Sequence, residues 1–509
     1  MTAIQHLPDN WVSTTLDVVA EWGSGGTPSR SHSEFFGGSV PWIKTGELGP
    51  RTISATEEHL TEDGLNASSA KLFPPGSVAL AMYGATIGKA SILGIEAATN
   101  QACAVGFPLC LSSQFLYYFL VSQAPALASA GQGGAQPNIS QGVIRAWPIG
   151  LPPSREQERI VEALDESLSV TEVAVAELIA AKRKLTLYRQ SLLKSAVEGA
   201  LTVEWRKHNP PKETGAERLT HILRERKRRW EATQYERKSR AGRTPARNWE
   251  DGYPPPASPE LAGLPKLPLG WVWSSLDAIA DIQGGIQKQP SRAPVLNRYP
   301  FLRVANVSRG ALRLDDVHEI ELVGDELRRL RLEIDDLLIV EGNGSLSEIG
   351  RCARWDASIA NTVHQNHLIR ARPLKMAGAF VEAWINSPWG KDRLTALAAT
   401  TSGLYTLSVG KLARVPVPIA PLQEQEAIIA ILAEQVGALE HQAAAIDHAL
   451  ALAAAQRQNI LRAAFSGQLV AQDPNDEPAS VLLERIRTER LAAAPAAKRK
   501  PSRRAKAAA

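Results

Sequence analysis

Cysteine is scarce in this 509-residue chain: Cys103, Cys110 and Cys352 are the full set, and no two form a C-x-x-C pair. That argues against a disulfide framework and a cysteine zinc site, and it fits a reducing compartment. Long apolar runs are missing too. The Ala-rich stretch near 427–455 is interrupted by Glu434, Glu440, His441 and Asp447, so no segment reads as membrane-spanning. The opening MTAIQHLPDN has no basic n-region followed by an apolar core, and no secretory signal is expected. The chain reads as soluble and cytoplasmic. A large excess of one charge is also absent, with a formal net charge of +4. The charge is instead concentrated. Residues 218–247 carry eleven Lys/Arg against three acids, and Lys498 to Lys506 carry six Lys/Arg and no acid. Such runs suit phosphate contacts or simply solvated segments.

The working parts of an independent enzyme are lacking as well. Asn209-Pro210-Pro211 has the N-P-P core of adenine-N6 methyltransferases, but Lys212 stands where a stacking aromatic is needed, and no glycine-rich cofactor strand precedes it. Gly84-Ala-Thr-Ile-Gly-Lys89 is one residue short of a P-loop and continues with Ala90, so a turn between strands is the better reading. Glu236-Arg-Lys238 has nuclease-like spacing without a preceding Pro-Asp. His364 and His367 stand three apart with no third ligand placed by sequence. No catalytic residue and no metal site is nominated.

What is present is a repeat. Trp11-Val-Ser-Thr-Thr-Leu-Asp-Val-Val-Ala20 aligns with Trp271-Val-Trp-Ser-Ser-Leu-Asp-Ala-Ile-Ala280, and each runs on to a glycine turn. Val40 to Thr45 aligns with Tyr299 to Val304, and Phe115 to Ser122 with Phe380 to Ser387. The strongest match sets Ile149 to Glu158 against Val417 to Glu426, and from there an offset of 268 holds without a gap to Gly199 and Gly467. Half of the sequence has been duplicated.

Each copy begins with about 145 residues of short apolar runs punctuated by Gly, Pro, Asn and Ser, the pattern of a mixed β-rich domain. A long helix follows. Ser154 and Gln157 form a capping-box pattern after Pro152-Pro153. Leu164, Thr171, Leu178, Leu185 and Leu192 recur every seven residues, as do Leu432, Leu439, Ile446, Ala453 and Ile460, which is a coiled-coil seam. Gly199 and Gly467 stand where helix C-caps are expected. The two helices find their partners in each other, or in another chain. They run antiparallel if the halves obey a pseudo-two-fold axis. The expected layout is a recognition-type domain at 1–152, a helix at 153–201, a basic helix and Pro-rich linker at 202–268, a second such domain at 269–420, a helix at 421–469 and a short helix with a basic tail at 470–509. The fold class is α+β: two pseudo-two-fold-related mixed β-rich domains separated by a pair of long coiled-coil helices.

These residues resemble the specificity subunits of Type I restriction–modification systems. The likeness rests on Gly25-Gly-Thr-Pro-Ser29, Val40-Pro-Trp-Ile-Lys-Thr-Gly46, Tyr83-Gly-Ala-Thr-Ile-Gly-Lys89, Asn100-Gln-Ala102 and Gln136-Pro-Asn-Ile-Ser140 in the first half. In the second it rests on Asp335 to Gly342, Gly350-Arg351, His364-Gln-Asn-His367, Val415-Pro-Val-Pro418 and Gln423-Glu-Gln425. The order of these pieces, twice in one chain, is specific. The resemblance implies a non-catalytic chain that reads a split, asymmetric site on double-stranded DNA, one half-site per domain, with the helices setting the spacer. It implies as partners two methyltransferase subunits and motor-nuclease restriction subunits. S-adenosylmethionine, Mg2+ and ATP would belong to those partners, with no cofactor in this chain. Gln136 and Asn138 are answered by Leu404 and Thr406, so the two half-sites are expected to differ.

Base edges are read by side chains that donate and accept in fixed geometry. The candidates in the first domain are Ser29, Arg30, Lys44, Thr45, Tyr83, Lys89, Gln101, Gln136 and Asn138. In the second they are Gln287, Lys288, Arg292, Arg303, Asn306, Asn343, Gln365, Asn366, His367, Tyr405 and Lys411. The competing readings are a coiled-coil adaptor that binds DNA without sequence preference, and a standalone nuclease or methyltransferase.

Overall fold

The structure, a computed structural model, describes residues 7–131, 137–240, 249–401 and 404–493. The chain divides into two compact units, residues 1–179 with 447–509 and residues 180–446. Both boundaries fall inside a long helix, Ser154–Val197 or Leu422–Phe465. Each unit therefore holds one β-rich domain, the start of the helix that follows it, and the end of the helix from the other half.

The two domains share one topology. In the first, the strands Ala20–Ser24, Cys103–Pro108, Val78–Ala81 and Ala90–Leu93 lie side by side in that order, with Thr52–Ile53 added at the edge. In the second, Ala280–Gly284, Leu368–Pro373, Leu337–Val340 and Cys352–Arg354 repeat the order. A second sheet places Phe36–Ile43 antiparallel to Glu58–Leu60 and parallel to Ala97–Thr99. Its counterpart places Arg298–Leu302 between His318–Glu321 and Val363–His364 with the same two senses. The central strands are apolar on both faces, as in Val78–Ala81 and Leu337–Val340, and all eight of these residues are buried. Burial of both faces explains their unbroken apolar runs.

The helix seams close within each unit. In the first, Leu164 and Leu168 pack in one core with Leu461 and Ala464, Glu172 pairs with Arg457 at 2.7 Å, and Arg159 pairs with Asp476 at 2.8 Å. In the second, Leu192 and Ala196 share a core with Ile428, Leu432 and Leu439, and Arg189 meets Glu440 at 3.2 Å. As one number falls the other rises, so the helical segments run antiparallel in both units. Of the two partners left open by the heptads, the other copy in the same chain is the one found.

Both helices stop at glycine. Gly199 has φ +70° and Gly467 φ +73°, a left-handed turn that glycine adopts without strain. The amides one residue later, Ala200 and Gln468, bond back to Ser195 and Ala463, each at 2.8 Å. The helix starts differ from the expected capping box. Gln157 is buried and donates Nε2 to the Pro152 carbonyl at 3.0 Å, and Gln425 does the same to Ala420 at 2.8 Å. The glutamine thus ties the last strand of its domain to the helix it begins.

A buried carboxylate completes each junction. Glu156 accepts from Trp11 Nε1 at 3.0 Å and from Gln472 at 2.6 Å. Glu424 accepts from Trp271 Nε1 at 2.8 Å and Thr202 Oγ1 at 2.6 Å, and pairs with Arg206. Burial pushes the Glu156 carboxyl up, with the Trp11 and Gln472 hydrogen bonds opposing. Among the described residues, no helix is long and apolar enough to cross a membrane.

Candidate nucleic-acid interface

Four backbone hydrogen bonds gather the loops of the first domain onto residues 99–102 and on to 139. Gly26 N donates to Thr99 O at 2.9 Å, Asn100 N to Ile43 O at 3.0 Å, Met82 N to Ala102 O at 2.9 Å, and Ile139 N to Met82 O at 2.9 Å. The second domain repeats them one for one. Ile286 N donates to His364 O at 2.9 Å, Gln365 N to Leu302 O at 2.9 Å, Glu341 N to His367 O at 2.9 Å, and Leu407 N to Glu341 O at 2.8 Å. The two hubs hold corresponding loops, so a residue's place on the hub, not its type, is what the halves share.

Close approach at the hub requires glycine. A Cβ built on Gly25 would run into the backbone of Thr99 and Asn100, and one on Gly285 into that of His364 and Gln365. With the loops pressed together, side chains at their tips project from one small area.

In the first domain the hub brings together the loop of Ser29 and Arg30, the turn of Lys44 and Thr45, Tyr83, Gln101 and Asn138. Gln101 is exposed and is hydrogen-bonded by the Thr27 hydroxyl. Tyr83 is 45% exposed and bridges to Asn138 through the backbone. Glu58 ties two cations to one point: Arg30 at 2.9 Å and Lys44 at 2.8 Å. Arg30 also lies over the Phe36 ring, 4.5 Å from its centroid. The Lys44 ammonium, and then Arg30, hold the Glu58 carboxyl below its ordinary range. Ser29 Oγ shares a 2.7 Å hydrogen bond with Ser31. Gly84-Ala-Thr-Ile-Gly-Lys89 forms a tight turn between the strands Val78–Ala81 and Ala90–Leu93, with φ +63° at Gly84 and +85° at Gly88. Lys89 is exposed at its end. Gln136 lies outside the described residues.

In the second domain Gln287, Lys288, Gln365, Asn366, His367, Asn343 and Tyr405 are carried by the hub loops. Gln287, Lys288 and His367 are exposed. Asn343 and Tyr405 face each other across a short added sheet of Gly342–Asn343, Leu404–Thr406 and Ala399–Thr401. Among the described residues, the first domain has the Tyr83–Asn138 bridge at that place. Four candidates have structural bonds as well. Arg292 grips Glu326 with two bonds of 2.8 and 2.9 Å. Arg303 pairs with Asp316 at 2.7 Å. Asn306 is buried, accepting from Arg303 N at 2.8 Å and donating to the carbonyls of Arg313 and Asp316 at 2.8 and 2.9 Å. Lys411 donates to the Leu397 carbonyl at 2.8 Å.

Thr27 and Glu58, which place Gln101, Arg30 and Lys44, were not among the sequence candidates. Their partners lie 74, 28 and 14 residues away, and no local pattern reveals such pairings. His364 and His367 do not converge: His364 is fully buried, with burial and the Arg370 guanidinium pushing it down to about 3, while His367 is exposed. Among the described residues no cluster of three or more His, Cys, Asp or Glu gathers around a common point.

Residues 8–177 match the family model of the Type I restriction modification DNA specificity domain. Over 505 residues the chain is 24% identical to the Type I restriction enzyme EcoKI specificity subunit of Escherichia coli (strain K12), covering 96% of this chain and 97% of that one. It is 29% identical over 189 residues to the EcoR124I/EcoR124II specificity subunit of Escherichia coli, 35% of this chain and 47% of that one. In fold it is similar to a solved chain described under "Structural basis underlying complex assembly and conformational transition of the type I R-M system", with a TM-score of 0.59 at 16% identity over 91% of this chain and 99% of that one. Together with the duplicated domains and the paired helices, residues 8–177 carry a Type I restriction modification DNA specificity domain, and the chain is similar over nearly its whole length to a Type I restriction enzyme specificity subunit.

Proposed function

We propose that each β-rich domain reads one half of a bipartite, asymmetric site on double-stranded DNA, through the side chains at the tips of its hub loops. The observation that carries this reading is the hub itself: one hydrogen-bond pattern built twice, presenting Tyr83, Gln101 and Asn138 in one copy and Asn343, Gln365, Asn366 and Tyr405 in the other. A shared scaffold with unlike tips is what two unlike half-sites require. Amides and hydroxyls suit base edges, while Lys89, Lys288 and the Glu58-held Arg30 and Lys44 suit phosphates.

The chain would supply no catalysis. Two methyltransferase subunits and the restriction subunits would bind it and bring S-adenosylmethionine, ATP and Mg2+ with them, and the length of the long helices would set the interval between half-sites. Mapping methylated adenines in the host genome tests the proposal. One split motif, lost when this gene is deleted, is the expected result. Salt-sensitive binding without any preferred sequence would favour a non-specific DNA adaptor instead.

A further inference from the structure

The helix Gly215–Arg240 begins as a structural repeat and ends as something else. Its first residue donates Gly215 N to Gly270 O at 2.6 Å, as Ala479 N donates to Asn10 O at 3.1 Å in the other unit. Ile222 is buried in the second unit's core, and Ile486 is buried in its own unit. Up to this point the helices Gly215–Arg240 and Ala479–Ala493 do the same work. The first runs for 26 residues, Gly215–Arg240, and the second is described over 15, Ala479–Ala493. The first carries nine Lys/Arg and four acids, whereas Ala479–Ala493 carries three and two.

The extension is fixed to the second domain. Arg226 pairs with Asp277 at 3.0 Å. The equivalent Asp17 of the first domain is paired with Arg145 at 2.7 Å, and the residue 268 positions after Arg145 is Ala413. The helix thus supplies a cation that its own domain lacks. Trp230 stacks on Trp249, with ring centroids 5.7 Å apart. Near its end Glu236 meets Arg328 at 3.1 Å, on the short helix Glu326–Leu330. Glu326 of that same helix is the residue gripped by Arg292, next to the loop of Gln287 and Lys288. The extension therefore leads from the base of the domain toward its candidate reading loop.

Among the described residues, one face of the helix stays largely exposed. Arg224, Arg228, Glu231, Tyr235 and Lys238 follow at intervals of four, three, four and three, so they share one side. Arg224 and Arg228 are exposed, and Tyr235 is 61% exposed. Arg224 has no carboxylate partner among the described residues, and Lys238 is held only over the Trp249 ring, 5.2 Å from its centroid. Arg228 shares Glu225 with Arg229. From Arg224 to Lys238 the face is ~21 Å long at ~1.5 Å per residue, and that length of duplex carries roughly twelve phosphates.

We propose that this face binds the phosphate backbone of double-stranded DNA beside the half-site read by the second domain, without reading sequence. The proposal rests on the DNA-reading function above. It gives the second domain a hold on DNA through this helix that the described residues of the first unit do not repeat.

The test uses the full chain, with its methyltransferase subunits where they copurify. Affinity for a duplex lacking the methylated motif is measured by fluorescence anisotropy between 50 and 300 mM KCl, for the wild type and for R224Q/R228Q/K238Q. Three lost phosphate contacts lower the log–log salt slope by about 2–3 and weaken binding at least ~10-fold near 0.1 M salt, while the methylated motif in cells stays the same. The charge-conserving R224K/R228K/K238R must keep the wild-type slope. An unchanged slope in the glutamine variant overturns the proposal. Loss of methyltransferase binding with an unchanged slope overturns it in favour of a protein partner. A wild-type chain that shows no split motif fails the parent reading, and that result is separate from either outcome.

Discussion

Gly285→Ala is the sharpest test of the hub. A Cβ built on Gly285 lies 2.5 Å from the Gln365 carbonyl carbon and closer still to the carbonyl oxygens of His364 and Gln365. Those are backbone atoms, so no side chain can swing away. The two loops must part by roughly 1 Å to bring those oxygens to ordinary contact at 3.4 Å, which strains both hydrogen bonds that join them: Ile286 N to His364 O at 2.9 Å and Asn366 N to Ile286 O at 3.0 Å. At ~1 kcal/mol for each bond, with a similar amount for overpacking, the local cost is about 2–3 kcal/mol. Hydrogen exchange reads that cost directly. Amides in 284–288 and 364–368 should exchange roughly 30- to 150-fold faster, at ~1.4 kcal/mol per decade, and those of the first domain's hub should not change. Against a library with both half-sites randomised, discrimination should fall at one half-site only. A variant with loosened amides and full discrimination at both halves would refute the idea that the hub positions the reading side chains. Equal loss at both halves would refute the division of labour between the domains.

Other perturbations probe the helices and junctions. Replacing Gln101 and Gln136 with Ala should damage recognition of the half-site that Gly285→Ala leaves alone, as read by the same library. Deleting one heptad from each long helix at paired positions should move the preferred interval between half-sites, and an assembled variant with an unchanged interval would show that the helices do not set it. Glu424→Ala should cost about 3–5 kcal/mol in chemical denaturation of the second unit, because Arg206 and Trp271 Nε1 are left without their buried acceptor. Glu156→Gln should be neutral or stabilising at pH 7–8, since burial raises this carboxyl and its ionised form opposes folding above its unfolded value. His364 is pushed down to about 3, so the unfolded chain binds its proton first. Stability of the second domain should fall as pH drops from about 6.5 toward 3, and His364→Asn should flatten that dependence.

Repetition is what made the architecture legible. Trp11 and Trp271, Gln157 and Gln425, and Gly199 and Gly467 each do one job twice, so matching letters stood for matching contacts. The heptads revealed seams but not their owner, since leucine at every seventh position is indifferent to which chain covers it. Side-chain roles within the loops were hardest to read. Arg292 and Lys288 look equally available in the sequence, yet Glu326, 34 residues on, grips the first, while Lys288 is exposed. Asn306 looks like a base reader and is a buried brace. Such distinctions depend on partners that folding brings from afar, and periodicity carries no trace of them.

Each unit is finished by a piece of helix borrowed from the opposite half. A chain holding one copy alone would lack those pieces and would have to take them from a twin, which would make a symmetric pair with identical loops. With both copies in one polypeptide that constraint is absent, and the two sets of loops are free to differ, as Asn138 and Thr406 do at equivalent positions.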